Sequence, residues 1–485
     1  MKITGPIVVM ISLSAMAFGQ NATKVLTFEE AIKIALRNSV VLNQQRNNLA
    51  LNQMQKTSSI ASIGPNVSAT ISASRFDGNS FNANAGAVVN GIRDNVSGSI
   101  SANMNLFSGF NRMNLIKQAS TNLDAQADFV QRTSQDVMNT VANQYLQVML
   151  DVELLRIAKE NLSALSKQLE QTKEQVRVGS RSPVDEYNQD ALAKGAELRM
   201  VQAEINLNND KALLSQTLLF DAFDDFDVEK PTWDVNKLGA EVQGAEELAS
   251  QAKLHRGDYL RAAKQETAQK YAMRAATGNM LPSLFAFFNY GSAYNFQRGV
   301  PDSSLVSIPT TRVVVDPTQP SGYGLQTSTT NTWLRSQEQR SFNDQFRLDN
   351  VYKQYGFQLS IPLFNGFQNK TAHMQQRTLY ENAKLNRKNV EYQIKNDVVR
   401  ASRNFEGAKK AFAITVDQLK SAEVAFSLET ERYNLGVTNF VDFINANRVF
   451  VQAQTDKAQA EYRLLFQKVL LDYAVGTLKV EDIQQ

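Results

Sequence analysis

Few side chains in this 485-residue chain are able to do covalent or metal chemistry. Cysteine is absent, and histidine occurs twice, at His255 and His373, each alone among charged or polar neighbours. Disulfides, thiolate metal sites, thiol nucleophiles and an acylated N-terminal cysteine are thereby excluded. A solitary surface histidine is a poor base or ligand, so no catalytic residue, metal or cofactor is assigned. The remaining candidates are carboxylates beside glycine turns. Asp185 follows Gly179 by six residues, and Asp442 follows Gly436 by the same six. Arg181, Arg432 and Tyr433 stand beside the same turns. One such Asp suits the N-terminus of the helix that follows the turn. Several, gathered by symmetry, would make a carboxylate ring that binds cations and restricts a passage.

The shared spacing belongs to a larger duplication. Leu106-Phe107-Ser108-Gly109-Phe110 recurs 257 residues on as Leu363-Phe364-Asn365-Gly366-Phe367, and Gln202-Ala203-Glu204 recurs as Gln459-Ala460-Glu461 at the same offset. So long a period exceeds that of common solenoids and points to a duplicated unit facing itself around an axis. Residues 111–178 contain no proline, which allows a helix on the order of 100 Å long. Leu155, Ala158, Leu162, Leu165, Leu169, Thr172 and Val176 step alternately by three and four, a coiled-coil seam. Its counterpart is Phe412, Thr415, Leu419, Ala422, Phe426, Glu429 and Tyr433. A capped helical segment opens at Thr27-Phe28-Glu29-Glu30 and runs over 27–61.

Strands precede each long helix. Val96, Gly98, Ile100, Ala102, Met104 and Leu106 alternate with Ser97, Ser99, Ser101, Asn103 and Asn105. Apolar out and uncharged polar in, over about ten residues, is the pattern of a lipid-facing barrel strand. The same alternation also suits a half-buried strand of a soluble sandwich. Four strands are expected, near 65–77, 95–106, 282–290 and 352–363, separated by an Asn/Gly-rich loop at 78–94 and a Ser/Thr/Gln/Pro-rich loop at 291–350. Four cannot close a barrel, and open edges are not tolerated in lipid. Two chains would give eight strands around a filled interior; three give twelve and leave a passage.

Charge is nearly balanced, with 51 Lys+Arg against 48 Asp+Glu, so nothing favours nucleic acid. Residues 1–19 read as a secretory signal peptide, with Lys2, an apolar run and small residues around Ala17-Phe18-Gly19. Repeat 1 then covers 20–220 with a helical hairpin at 111–220, and a linker covers 221–243. Repeat 2 covers 244–476 with a hairpin at 368–476, and 477–485 form a tail.

With its two repeats, its Leu-Phe-x-Gly-Phe junctions and its Gly turns with Asp six residues later, the chain resembles the TolC-like outer membrane efflux proteins over essentially its whole mature length. The resemblance implies a mainly α fold with membrane β: a homotrimer with a 12-stranded barrel in outer membrane lipid and a long α-helical coiled-coil barrel through the periplasm. It implies a passive exit duct for efflux or type I secretion and no enzyme. The duct opens when a periplasmic adaptor (membrane fusion) protein and an inner-membrane RND or ABC transporter dock. The linker and the short helices at 27–38 and 244–254 would form a belt around the helical barrel. Val178-Gly179-Ser180 and Leu435-Gly436-Val437 match the adaptor-docking tips. Asp442 matches a pore-constricting aspartate, and Asp185 and Tyr433 match a pair linking the two hairpins in the closed state. Asn445 stands where a second constricting aspartate is usual and Thr438 where a linking arginine is usual, which leaves Arg181 or Arg432 as other contacts. Leu106, Phe107, Gly109, Phe110, Leu363, Phe364, Gly366 and Phe367 mark the strand-helix junctions; Phe107, Phe110, Phe364, Phe367, Tyr290 and Tyr355 would form interfacial girdles, or the four Phe pack locally at the junctions. The alternative reading is an exported soluble coiled-coil scaffold with a small β-domain.

Overall fold

The computed structural model describes residues 24–82, 87–221, 226–229, 244–298, 303–335 and 340–478. The expected signal peptide, most of the linker at 221–243 and most of the tail at 477–485 lie outside these residues. The first elements are β1 (Lys24–Leu26), α1 (Phe28–Asn38), α2 (Val40–Ala61), β2 (Asn66–Asn82) and β3 (Ala87–Ser108). Next come α3 (Asn111–Arg177), α4 (Pro183–Leu218), β4 (Phe226–Val228), α5 (Ala245–His255), α6 (Gly257–Gly278) and β5 (Ser283–Gln297). Then follow β6 (Ser303–Val315), β7 (Tyr323–Arg335), α7 (Phe342–Asp344) with a π-helical turn (Gln345–Asp349), β8 (Tyr352–Ser360), α8 (Gln368–Asn434) and α9 (Phe440–Val475). Corresponding helices of the two halves match in length: α3 and α8 have 67 residues each, and α4 and α9 have 36.

Two compact units divide the chain. The first takes its described residues from Met1–Gln53, Thr121–Thr267 and Glu381–Gln485. Here Thr27 caps α1 by accepting from the Glu30 N–H at 3.2 Å, and α1 buries Phe28, Ala31, Ile32 and Ala35. These pack with Tyr145, Leu146 and Val148 of α3 and with Leu214 and Leu218 of α4. The Tyr145 hydroxyl lies 2.8 Å from the backbone carbonyls of both Leu26 and Glu229, which share its single proton. It thereby ties the parallel β1–β4 pair to the core. A second cluster joins Ala249 and Ala252 of α5 to Ile394, Val398 and Phe405 of α8 and Leu464 and Leu471 of α9. Every seam position from Leu155 to Val176, and its counterpart from Phe412 to Tyr433, is buried or half-buried. The helix expected across 27–61 breaks at Ser39, where ψ is 117°. The Ser39 hydroxyl accepts from the Leu42 N–H at 3.3 Å, giving the new helix start the bond that a continuous helix would not need.

The second unit takes Met54–Ser120 and Ala268–Tyr380. Its sheet has the antiparallel order β2-β3-β5-β8, so β2 and β8 are its edges. Register places Val67, Ala102, Phe288 and Tyr355 across one face, and Ser68, Ser101, Asn289 and Gln354 across the other. On the polar face, Ser68 and Ser101 meet at 2.8 Å and Ser72 and Ser97 at 2.7 Å. On the apolar face Ile71 is 82% exposed and Phe357 75%. Of the aromatic residues in β5, Phe288 and Tyr290 share the apolar face, whereas Phe285 and Phe287 fall on the polar one.

Both loops expected between strands are largely structured. The ladder continues past Arg75↔Asp94 to Asn82↔Ala87, so most of 78–94 is strand. Within 291–350, β6 and β7 pair as a separate hairpin, and the helical turn 342–349 packs on β5. There the Ser292 hydroxyl donates to the Phe346 carbonyl at 2.6 Å. The physical reason is that Thr and Val suit a pleated backbone however polar the segment's composition. At both strand-helix junctions a glycine and the phenylalanine after it are left-handed: Gly109 and Phe110 at φ 60° and 64°, Gly366 and Phe367 at 61° and 64°. The rings pair edge to face, Phe107 with Phe110 at 5.3 Å and Phe364 with Phe367 at 5.7 Å.

Two stability predictions follow from the buried polar groups. Tyr145→Phe takes the hydroxyl from the Glu229 carbonyl and leaves the Leu26 carbonyl only the Glu229 N–H at 3.1 Å, and should cost about 1–3 kcal/mol, read as a lowered thermal transition of the folded protein. Asp151 of α3 is buried, and burial, then the neighbouring Asp210 carboxylate, pushes its pKa up to about 7. The native carboxyl therefore contributes stability at acid pH that is lost as pH rises through about 7. Asp151→Asn should gain on the parent from about pH 4 to about pH 7 and hold that gain above, on the order of 2 kcal/mol, in thermal melts across pH.

Candidate functional site

The two helical turns are built alike. After α3, Gly179 takes φ 78°, its N–H donates to the Val176 carbonyl at 3.0 Å, and the Ser180 N–H donates to Gln175 at 2.9 Å. After α8, Gly436 takes φ 73°, and the Val437 N–H donates to the Arg432 carbonyl at 2.9 Å. No atom lies within 4 Å of a Cβ placed at either glycine, so backbone conformation alone requires them. Ser182 caps α4 by accepting from the Val184 N–H at 3.3 Å, with Pro183 in the first turn. Asn439 caps α9 by accepting from the Asp442 N–H at 2.9 Å. The tips are apolar and open: Val178 is 64% exposed, Leu435 79% and Val437 68%.

Just behind the tips, the hairpins meet around Tyr433, which is only 2% exposed. Its ring stacks on Phe443 with centroids 4.7 Å apart, and Phe440 lies 6.2 Å away. The Arg181 guanidinium lies 4.0 Å from the ring centroid, and its Nη2 donates to the Tyr433 backbone carbonyl at 3.0 Å. A residue of the first turn therefore holds both the face and the backbone of a residue of the second. Burial pushes the Tyr433 pKa up; Arg181 opposes that shift and Asp185 reinforces it. The Tyr433 hydroxyl has no hydrogen-bond partner among the described residues. Asp185 and Tyr433, expected as a linked pair, are thus near neighbours without a hydrogen bond. Arg181 makes the link instead, through the ring and the main chain.

The remaining candidates lie further around the second turn. Asp442 is exposed and accepts from the Thr438 hydroxyl at 3.4 Å. Asn445 is also exposed and accepts from Arg448 at 3.2 Å. Arg432 pairs within its own helix with Glu429 at 3.1 Å. A second contact between the hairpins joins Asn447 to Asn161 at 3.5 Å. An open depression of about 590 Å³, lined by Glu170, Gln171, Glu174, Gln175 and Asn434, lies where α3 and α8 end. Phe426 and Tyr433 lie on the seam and Phe450 on the stripe of the returning helix, whereas Phe440 and Phe443 belong to neither sequence pattern. Phe426 lies 5.9 Å from Phe443 and 5.1 Å from Phe450. The three- and seven-residue steps between those phenylalanines were the available signal.

Among the described residues, no group of three or more His, Asp or Glu side chains gathers as a metal site. No described helix is long and apolar enough to cross a membrane. What the arrangement can do is mechanical and electrostatic. Two apolar tips face solvent, an arginine holds one hairpin to the other, and exposed carboxylates lie close behind.

The sequence model of a family described as outer membrane efflux protein matches residues 31–218 and 324–477. Outer membrane protein TolC of Vibrio cholerae is 21% identical over 353 residues, covering 72% of this chain and 70% of that protein. Among solved structures, the outer membrane protein VceC of Vibrio cholerae superposes with a TM-score of 0.72 at 14% identity, covering 93% of this chain and 96% of that one. The MtrE outer membrane channel of Neisseria gonorrhoeae, in its open state, gives 0.70 at 16% identity, with 93% and 91% covered. The chain belongs to the outer membrane efflux protein family, and is thus a TolC-like efflux channel of the outer membrane with a periplasmic helical barrel.

Proposed function

We propose that three copies of this chain pool their sheets into one 12-stranded barrel, a passive duct opened from the periplasm. The observation that carries this reading is the sheet order β2-β3-β5-β8, whose two outer strands have no further neighbour among the described residues. Each edge is a row of backbone groups that hydrocarbon cannot satisfy, so a membrane-seated sheet must continue into another copy. Exposed Ile71, Tyr355 and Phe357 would face lipid, while the serine ladders line a wetted lumen. The exposed Phe110, Phe364 and Phe367 would mark the inner boundary of the bilayer.

The gate is assigned to the helical turns. Threefold symmetry would collect three exposed Asp442 side chains into a carboxylate ring, with Asn445 and Thr438 beside it. The Arg181–Tyr433 contact would latch the first hairpin to the second while the duct is shut, with Asp185 close to the same ring. A periplasmic adaptor gripping Val178-Gly179-Ser180 and Leu435-Gly436-Val437 has direct purchase on both sides of that latch. An inner-membrane RND or ABC transporter supplies the energy, and efflux and type I secretion place the same demands on the duct.

Detergent-corrected mass measurement should return three chains; a monomer would end this reading. In planar bilayers, Arg181→Ala and Asp442→Ala should each raise basal conductance severalfold. Tyr433→Phe should stay near the parent value, because ring and carbonyl remain. Parental conductance in Arg181→Ala would remove the latch from the mechanism.

A further inference from the structure

The hairpin β6–β7 is an element that the duct does not require. It leaves the connection between β5 and β8, at the end of the sheet opposite the helix junctions, and forms a two-stranded sheet of its own. Each strand has 13 residues, about 43 Å of extended chain. The turn is made firmly: Asp316 accepts from the Thr318 N–H at 3.0 Å and its hydroxyl at 2.6 Å, and the Asp316 N–H donates to the Gly322 carbonyl at 3.1 Å.

Register separates the two faces of this ribbon. Val313↔Leu325 and Val315↔Tyr323 share one face near the turn, while Arg312↔Gln326 and Thr310↔Ser328 share the other. The four apolar side chains are among the most open in the chain, at 66% for Val313, 77% for Val315, 62% for Tyr323 and 76% for Leu325. An isolated hairpin is marginal in water at best, and an uncovered apolar face weakens it further. The occupant of that face must therefore be present whenever the protein is. The patch offers a few hundred Å², short of the roughly 800 Å² per partner that a free-standing complex needs. That area suffices only where the partner is already tethered, so that no separate association cost arises. Near the turn, the pairs Thr311↔Thr327, Val313↔Leu325 and Val315↔Tyr323 put no charge on this face to oppose contact between like surfaces.

We infer that the apolar faces of the β6–β7 ribbons dock on one another within the assembly, forming a three-ribbon collar at the outer mouth of the duct. The inference rests on the trimeric reading above, which the mass measurement tests separately. Because the chain has no cysteine of its own, single introduced thiols report cleanly. In intact outer membranes, Val315→Cys should give covalently linked dimers with a short bismaleimide, and Gln326→Cys should not. A membrane-impermeant maleimide should label Leu325→Cys at least tenfold more slowly than Gln326→Cys. A trimeric mass without the Val315→Cys cross-link overturns the collar and leaves the channel intact. Slow labelling without cross-linking does the same, because lipid or another protein then covers the face. Equal labelling at both positions means that the face is open, and also overturns it.

Discussion

The fold depends on one constraint: every backbone amide and carbonyl removed from water needs a partner. Inside the helical unit the constraint is met locally, by i to i−4 bonds along α3 and α8 and by caps such as Thr27, Ser182 and Asn439. In the sheet it is met between neighbours for β3 and β5, and only on one side for β2 and β8. Those two unsatisfied rows do more than any side chain to define the protein. On the proposed trimeric reading, they are where the sheet of a neighbouring copy would pair.

Sequence periodicity reveals those parts of the fold whose side chains record their surroundings. The alternation over 96–106 marks a strand because its faces meet different environments, and the seam from Leu155 to Val176 marks a helix buried along one stripe. The segment 303–335 defeats the same approach. Its strands carry Thr and Ser on both faces for much of their length, so composition reads as loop while β-propensity and pairing make a ribbon. The break at Ser39 escapes for a related reason, since neither glycine nor proline stands at that single non-helical residue. At the turns, Gly179, Gly436, Asp185 and Asp442 announce themselves by spacing. The Arg181–Tyr433 contact depends on how two distant hairpins register, and no local pattern encodes that.

Positive φ at Phe110 and Phe367 shows where the same economy meets a cost. A bulky residue in the left-handed region is disfavoured by roughly 1–2 kcal/mol, yet both halves of the chain keep it after a glycine. Asn111 helps to hold the first junction, donating to the Ala275 carbonyl at 2.8 Å and to Asn279 at 3.0 Å. Two consecutive left-handed residues reverse the chain sharply enough to turn an extended strand into a helix start. The edge-to-face phenylalanine pair offsets part of the strain.

Duplication explains why the tips resemble each other, and divergence explains how they differ. Gly179 and Gly436, Ser182 and Asn439, and Asp185 and Asp442 occupy equivalent positions 257 residues apart, and all serve the turn itself. At the same offset, Arg181 faces Thr438 and Val176 faces Tyr433. A contact between identical tips would need one residue type to bind itself, and two arginines or two buried tyrosines would do that poorly. With the guanidinium kept on one tip and the ring on the other, each supplies what the other lacks. The stacked Phe443 then buries the ring from behind, where the first tip has the charged Glu186. A duct built from two like hairpins per chain thus gains a directed contact between unlike ones. That contact can be broken by moving either tip without disturbing the turn that both inherit.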